Sequence, residues 1–138
     1  MFTINPESSC IAFGIVARLP QNRIFDSIRK VLDVRNESDI IISKYGIDKP
    51  DVFERAILYL DVEEKPDGLP LYCMLCSVKI HEFITDWEFF LKSLAKEIGA
   101  SVFIDSNNRG YLVEMSGNIE EVKFETFFLN QIECLRLV

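Results

Sequence analysis

Apolar positions along the chain alternate between two periods. Ile11 to Leu19, IAFGIVARL, is a compact apolar run with Gly14 inside it and Pro20 closing it, and it reads as a first strand. From there the spacing becomes helical. Ile24, Phe25, Ile28, Val31 and Leu32 fall on one stripe, Arg23, Asp26, Arg29 and Lys30 fill the other side, and Asn22 is placed to cap the start. Strand chemistry returns in the β-branched run Ile40 to Ile42, in RAILYLDV from Arg55 to Val62, and in LPLYCMLCSVKI from Leu69 to Ile80. Between the last two, Glu63 to Gly68 reads EEKPDG. Pro66 fixes φ at a turn position and Gly68 relaxes the backbone after it, which predicts a hairpin. The segment Tyr45 to Glu54, YGIDKPDVFE, follows neither period and reads as irregular.

Thr85 to Gly99 is the plainest element. Thr85 and Glu88 have the spacing of a capping box, and Trp87, Phe90, Leu91, Leu94 and Ile98 form an apolar stripe. Lys92 and Lys96 lie off that stripe, and Gly99 suits the left-handed conformation that stops a helix. Three β-like runs follow, Ser101 to Ile104, Tyr111 to Met115 and Ile119 to Phe127, with apolar and polar residues alternating in the last two. Asn and Gly tolerate positive φ, so DSNNRG from Asp105 and SGN from Ser116 read as bends of a meander rather than as a catalytic loop. The tail QIECLRLV, Gln131 to Val138, fits a final strand or a helical end. No internal repeat or low-complexity linker divides the chain, so residues 1–138 read as one domain. The order of elements predicts an α+β fold: an antiparallel or mixed sheet, two main helices packed on one face, and a C-terminal β-meander. The opposite face is then left to solvent or to a partner.

Composition sharpens this picture in two ways. At 138 residues, 49% hydrophobic and 27% charged, the chain is long and apolar enough to bury a core without staples. Its 22 acidic against 15 basic residues give a formal charge of -7, which disfavours phosphate-rich nucleic acid and makes a basic partner the electrostatic complement. MFTINPESSC lacks the basic segment of a secretory signal, and the run Ile11 to Ala17 is too short to span a bilayer, so a cytoplasmic location with no membrane association is expected. In that compartment Cys10, Cys73, Cys76 and Cys134 are expected to be reduced, buried thiols.

The residues that would carry chemistry do not assemble into a reactive centre by sequence alone. Cys73 and Cys76 form a CxxC, but three residues apart on a strand they point to opposite sides, and no second ligand pair completes a zinc site. His81 is the only histidine, and a Cys76–His81 dyad would need a bend after the strand. The pairs Glu63–Glu64 and Glu120–Glu121 sit in or beside turns, where carboxylates are solvated rather than tuned for acid–base work. The six glycines include no phosphate-loop or dinucleotide spacing. No catalytic residue, metal or cofactor is therefore expected.

What remains is the distribution of charge. Asp61, Glu63, Glu64 and Asp67 gather around one turn, and Asp105, Glu114, Glu120, Glu121 and Glu125 gather on the meander. These nine are the candidate partner-binding residues: carboxylates that stand in for phosphate in a cationic cleft. Trp87 and Tyr111 are candidate aromatic anchors or core. The block from Trp87 through Leu94, Ala95 and Gly99 into VFID, GYLVEMSG and EEVKFE, about a third of the chain, resembles the closing half of small immunity proteins of bacterial polymorphic or contact-dependent inhibition toxin systems. The resemblance implies a cytosolic, non-enzymatic inhibitor that binds a cognate toxin, commonly a nuclease. The alternative expectation is a small-molecule-binding regulatory module, with a pocket between sheet and helices.

Overall fold

Cys10–Ile15 forms strand β1, and every later layer is built around it. The computed structural model describes residues 10–33, 40–42, 58–77 and 80–138. After β1 come helix α1 (Gln21–Val31), β2 (Ile40–Ile42), β3 (Leu58–Glu64), β4 (Leu71–Cys76) and the one-turn helix α2 (Ile80–Phe83). Helix α3 (Trp87–Ile98) leads into β5 (Val102–Ser106), β6 (Arg109–Val113), β7 (Ile119–Val122), β8 (Phe124–Leu129) and β9 (Ile132–Leu137). Seven strands form one sheet in the order β2-β3-β4-β1-β5-β6-β7, and β8 and β9 form a separate two-stranded sheet. All pairs are antiparallel except β2 with β3. The protein is an α+β domain with a mixed sheet, as its alternating periods predict.

Strand alternation sends Ile11, Phe13 and Ile15 of β1 and Leu71, Cys73 and Leu75 of β4 to one face, where all six are buried. Ile24 and Ile28 of α1 and Leu91, Leu94 and Ile98 of α3 cover that face and complete the main core. Burying a side chain of this size contributes about 1.5–3 kcal/mol. The helices are tied at one end, where the Arg23 guanidinium donates to the Ile98 carbonyl at 2.9 Å and so satisfies a free acceptor at the end of α3. Lys30 pairs with Glu97 at 3.1 Å along the same seam.

The second face carries its own smaller core. Phe103, Leu69 and Leu135 are buried there, with Tyr72, Leu112, Val122, Phe124 and Leu137 packed around them. The β8–β9 hairpin therefore lies over part of the sheet face opposite the helices. Gly110 makes this approach possible, because a Cβ there would meet Phe124 Cδ1 at 2.7 Å and Phe103 Cε2 at 2.8 Å. The rings of Phe103 and Phe124 pack edge to face with centroids 5.2 Å apart. At the margin, the Leu69 N–H donates to the Leu135 carbonyl at 2.7 Å.

Several boundaries differ from the sequence reading. Helix α1 begins at Gln21 with Pro20 before it and no side-chain cap, so Asn22 lies inside the first turn; the Pro20 carbonyl already accepts from Arg23 and Ile24 N–H groups. The cap of α3 is Asp86 rather than Thr85: its carboxylate accepts from the Phe89 N–H at 3.0 Å, the i+3 geometry of a capping residue. Gly99 ends that helix at φ 70°, as expected. The long β4 prediction shrinks to Leu71–Cys76, with Pro70 accepting from Lys65 N–H in the β3–β4 connection and Ile80 starting α2. The run Ile119 to Phe127 breaks at Lys123, so the chain leaves the main sheet and pairs with its own tail, which is strand β9. DSNNRG is a bend: Asn107 and Asn108 take φ 53° and 63° between β5 and β6. The irregular reading of Tyr45 to Glu54 lies outside the described residues, as does the start of the Arg55 to Val62 prediction.

Candidate functional site

The hairpin leaves a cleft where it meets the second face of the sheet. Glu63 of β3 and Tyr72 of β4 are register partners on that face, and Asp105 projects from β5 on the same side. Glu133 of β9 approaches from above. Together with Lys65 and Thr126 they line a volume of about 330 Å³ whose floor is Leu69, Phe124 and Leu135. Three carboxylates thus face one ammonium, and that ammonium is already engaged, since Lys65 pairs with Glu63 at 3.0 Å with little of its side chain exposed. Asp105 and Glu133 have no ion-pair partner among the described residues.

Tyr72 records this field. Burial first, and then the carboxylates of Asp105 and Glu133 and the thiol of Cys73, push its hydroxyl above the usual value of 10.0, so it stays protonated at neutral pH. A half-buried phenol beside unpaired carboxylates offers hydrogen-bonding and an aromatic face to a cation that the carboxylates attract. Further along β3, Asp61 lies on the same face, opposite Met74. Its carboxyl is also raised above 3.8, by burial first and then by Glu63. Met74 is 42% exposed, so this part of the face is not covered by the hairpin.

The nine acidic residues singled out from the sequence divide between several surfaces. Asp61, Glu63 and Asp105 share the second face, and Glu120, paired in register with Leu112, lies there too. Glu64 points the other way from Glu63 and lines an open depression with Leu19 and Gln21. Glu121 opposes Tyr111 and pairs with Arg109 at 3.9 Å. Glu125 pairs with Arg136 across the hairpin, and that guanidinium also lies 4.6 Å from the centre of the Phe127 ring. Asp67 accepts from the Gly68 N–H within its own turn, and the Glu114 carboxylate accepts from Ser116. Only part of the set therefore converges. Glu133, Tyr72 and Lys65 were not among the nine, because their convergence depends on the tail folding back as β9, which the tail's own pattern left open.

Rival chemistries place their residues elsewhere. Cys10 and Cys76 are joined by a disulfide, which corrects the expectation of four reduced thiols: they are register partners in the β1–β4 ladder with Cα atoms 4.1 Å apart. The Cys76–His81 dyad is consequently not formed in this structure. Cys73 faces the helices, as the i,i+3 argument requires, and burial, then Asp61, pushes its thiol up to about 12. Cys134 is a second buried free thiol, whose sulfur lies 3.6 Å from the Ile132 carbonyl. Among the described residues no three His, Cys, Asp or Glu side chains group as a metal site. Tyr111 is buried in the main core, and Trp87 packs edge to face on Phe90 at 5.9 Å, so neither is presented as an anchor. No helix among the described residues is long and apolar enough to cross a membrane.

The chain matches no protein family, and no curated protein or solved structure shows significant similarity to it.

Proposed function

We propose that this protein is a non-enzymatic inhibitor that binds a basic protein, an immunity protein that neutralises a cognate bacterial toxin in the cytoplasm. The observation that carries the reading is the cleft between sheet and hairpin, where Glu63, Asp105 and Glu133 surround Tyr72 with Lys65 as the single cation in the lining. Arginine or lysine side chains of a partner would replace the missing counter-charge through charge-assisted hydrogen bonds. The formal charge of -7 adds a long-range field that speeds encounter with a basic surface. A nuclease fits this description, because a cleft built for phosphate is itself basic.

A second reading rests on the same volume. About 330 Å³ lies within the range of small-ligand pockets, and its apolar floor with acidic walls suits a small cationic or amphipathic metabolite. The two readings separate in one comparison. Mixing the protein with the product of the gene immediately upstream of its own gives, on the first reading, a complex whose association slows as salt rises. No complex at micromolar concentration, together with a thermal shift on adding a cationic metabolite, removes the first reading in favour of the second.

A further inference from the structure

The tip of the C-terminal hairpin is apolar where a solvent-exposed turn ordinarily is polar. Phe128 is 71% exposed, Ile132 41% and Leu129 37%. They flank Asn130 and Gln131, whose φ values of 50° and 68° make the tight two-residue turn. Leu129 and Ile132 are register partners that close the turn, and Phe128 is the partner of Glu133. Alternation puts Phe128 and Glu133 on the side of the hairpin that also carries Leu135 and Phe124, the side turned to the sheet. Phe128 therefore lies on the cleft side of the hairpin, beside the cleft residue Glu133, while Leu129 and Ile132 flank it on the other side of the tip.

We propose that this tip is the anchor of the interface: Phe128, with Leu129 and Ile132, enters an apolar pocket on a basic protein, while Glu133 and Asp105 pair with cations at that pocket's rim. The inference rests on the proposed function and specifies which surface performs it. Charge selects the occupant. A second copy meeting tip to tip about a two-fold axis would bring Glu133 close to Glu133 and add two negative bodies together, and an anionic membrane would be repelled by the same field. A basic protein gains from both features. An exposed aromatic buried in a desolvated pocket, ringed by polar pairs, is the arrangement of a binding hot spot.

The test uses the full chain and the product of the gene immediately upstream. Phe128→Ala removes the exposed ring and leaves the melting temperature unchanged, since surface positions of this kind contribute little to folding. It is expected to weaken the complex by roughly 30-fold or more, mostly through faster dissociation. Asp105→Asn with Glu133→Gln is expected to slow association and flatten its salt dependence. Phe89→Ala, which removes a 68% exposed ring on α3, serves as the control and is expected to bind as the parent does. If the parent forms a complex and Phe128→Ala binds equally well, the tip assignment is overturned while the inhibitor reading stands. If the parent forms no complex, both fall. A free protein that sediments as a dimer dispersed by Phe128→Ala, or one that binds anionic vesicles through Phe128, would also overturn the assignment.

Discussion

Cys10 and Cys76 face each other across β1 and β4, at the end of the ladder where β1 begins and β4 ends, and a disulfide joins them. The bond closes a loop of sequence separation 66 that contains α1, β2, β3 and β4. A closure of that length stabilises by about 2–4 kcal/mol, through the freedom it removes from the unfolded chain. The ladder itself does not require the bond, because the six β1–β4 register pairs continue to Ile15 and Leu71.

The first prediction is a thiol count. With the Cys10–Cys76 bond formed, the folded protein is expected to offer no alkylatable thiol, since Cys73 and Cys134 are buried and the other two are bonded. Unfolding without reductant exposes two and unfolding with reductant exposes four. Reductant or the double Cys10→Ser, Cys76→Ser variant is expected to lower unfolding stability by about 2–4 kcal/mol with the fold retained. Disulfides are rare in the cytoplasm, so protein taken directly from cells and trapped by alkylation also reports the compartment. The proposed cytoplasmic location requires the pair to be trapped as dithiol.

A second prediction concerns Asp61. Its folded carboxyl titrates above the ordinary 3.8, so ionisation opposes folding: the favourable contribution is complete below the unfolded value and is lost as pH rises through the folded one. Asp61→Asn is therefore expected to stabilise the free protein at pH 7, and the gain should vanish when both proteins are compared below pH 3.8. A destabilised variant at neutral pH would show that the carboxylate is satisfied by an interaction stronger than its repulsion from Glu63.

Third, the seat of the hairpin depends on two glycines. Gly68 sits at φ 71° with a virtual Cβ only 2.2 Å from the Leu135 carbonyl oxygen, so Gly68→Ala is expected to cost about 2–4 kcal/mol and shift β9. Gly110→Ala wedges Phe124 away from Phe103 and is expected to cost about 1–3 kcal/mol. Gly117, at φ 88° with nothing within 4 Å, gives the comparison: Gly117→Ala meets no neighbour and costs only the strain of a Cβ in the left-handed region, about 1–2 kcal/mol. Equal costs at all three positions, measured by chemical denaturation, would contradict the close packing of hairpin on sheet.

These elements also mark where the sequence was legible. The α3 stripe, the Gly99 stop and the Asn107–Asn108 bend follow from local rules, because each needs only neighbours within a few residues. Local rules also offered the wrong cap at Thr85, where two adjacent capping side chains compete and Asp86 wins. The cleft was not legible. Its acids are separated by tens of residues: the order of strands in the main sheet brings Glu63 and Asp105 to one face, and Glu133 joins them only because the chain breaks at Lys123 and turns at Asn130–Gln131. Gln131 at φ 68° lacks the glycine that ordinarily announces such a turn. The disulfide was missed for a different reason: pairing Cys10 with Cys76 needs the β1–β4 register, and compartment reasoning favoured thiols instead.

The proposed docking of a basic protein on the cleft and hairpin tip of the second sheet face is best read by an amide chemical-shift titration of the isotope-labelled protein with the product of the upstream gene. Perturbation is expected at Glu63, Tyr72, Asp105, Phe128 and Glu133, and it should weaken as salt rises. Perturbations confined to the outer surfaces of α1 and α3, around Asp26, Lys30 and Lys96, with the cleft unchanged, would contradict it.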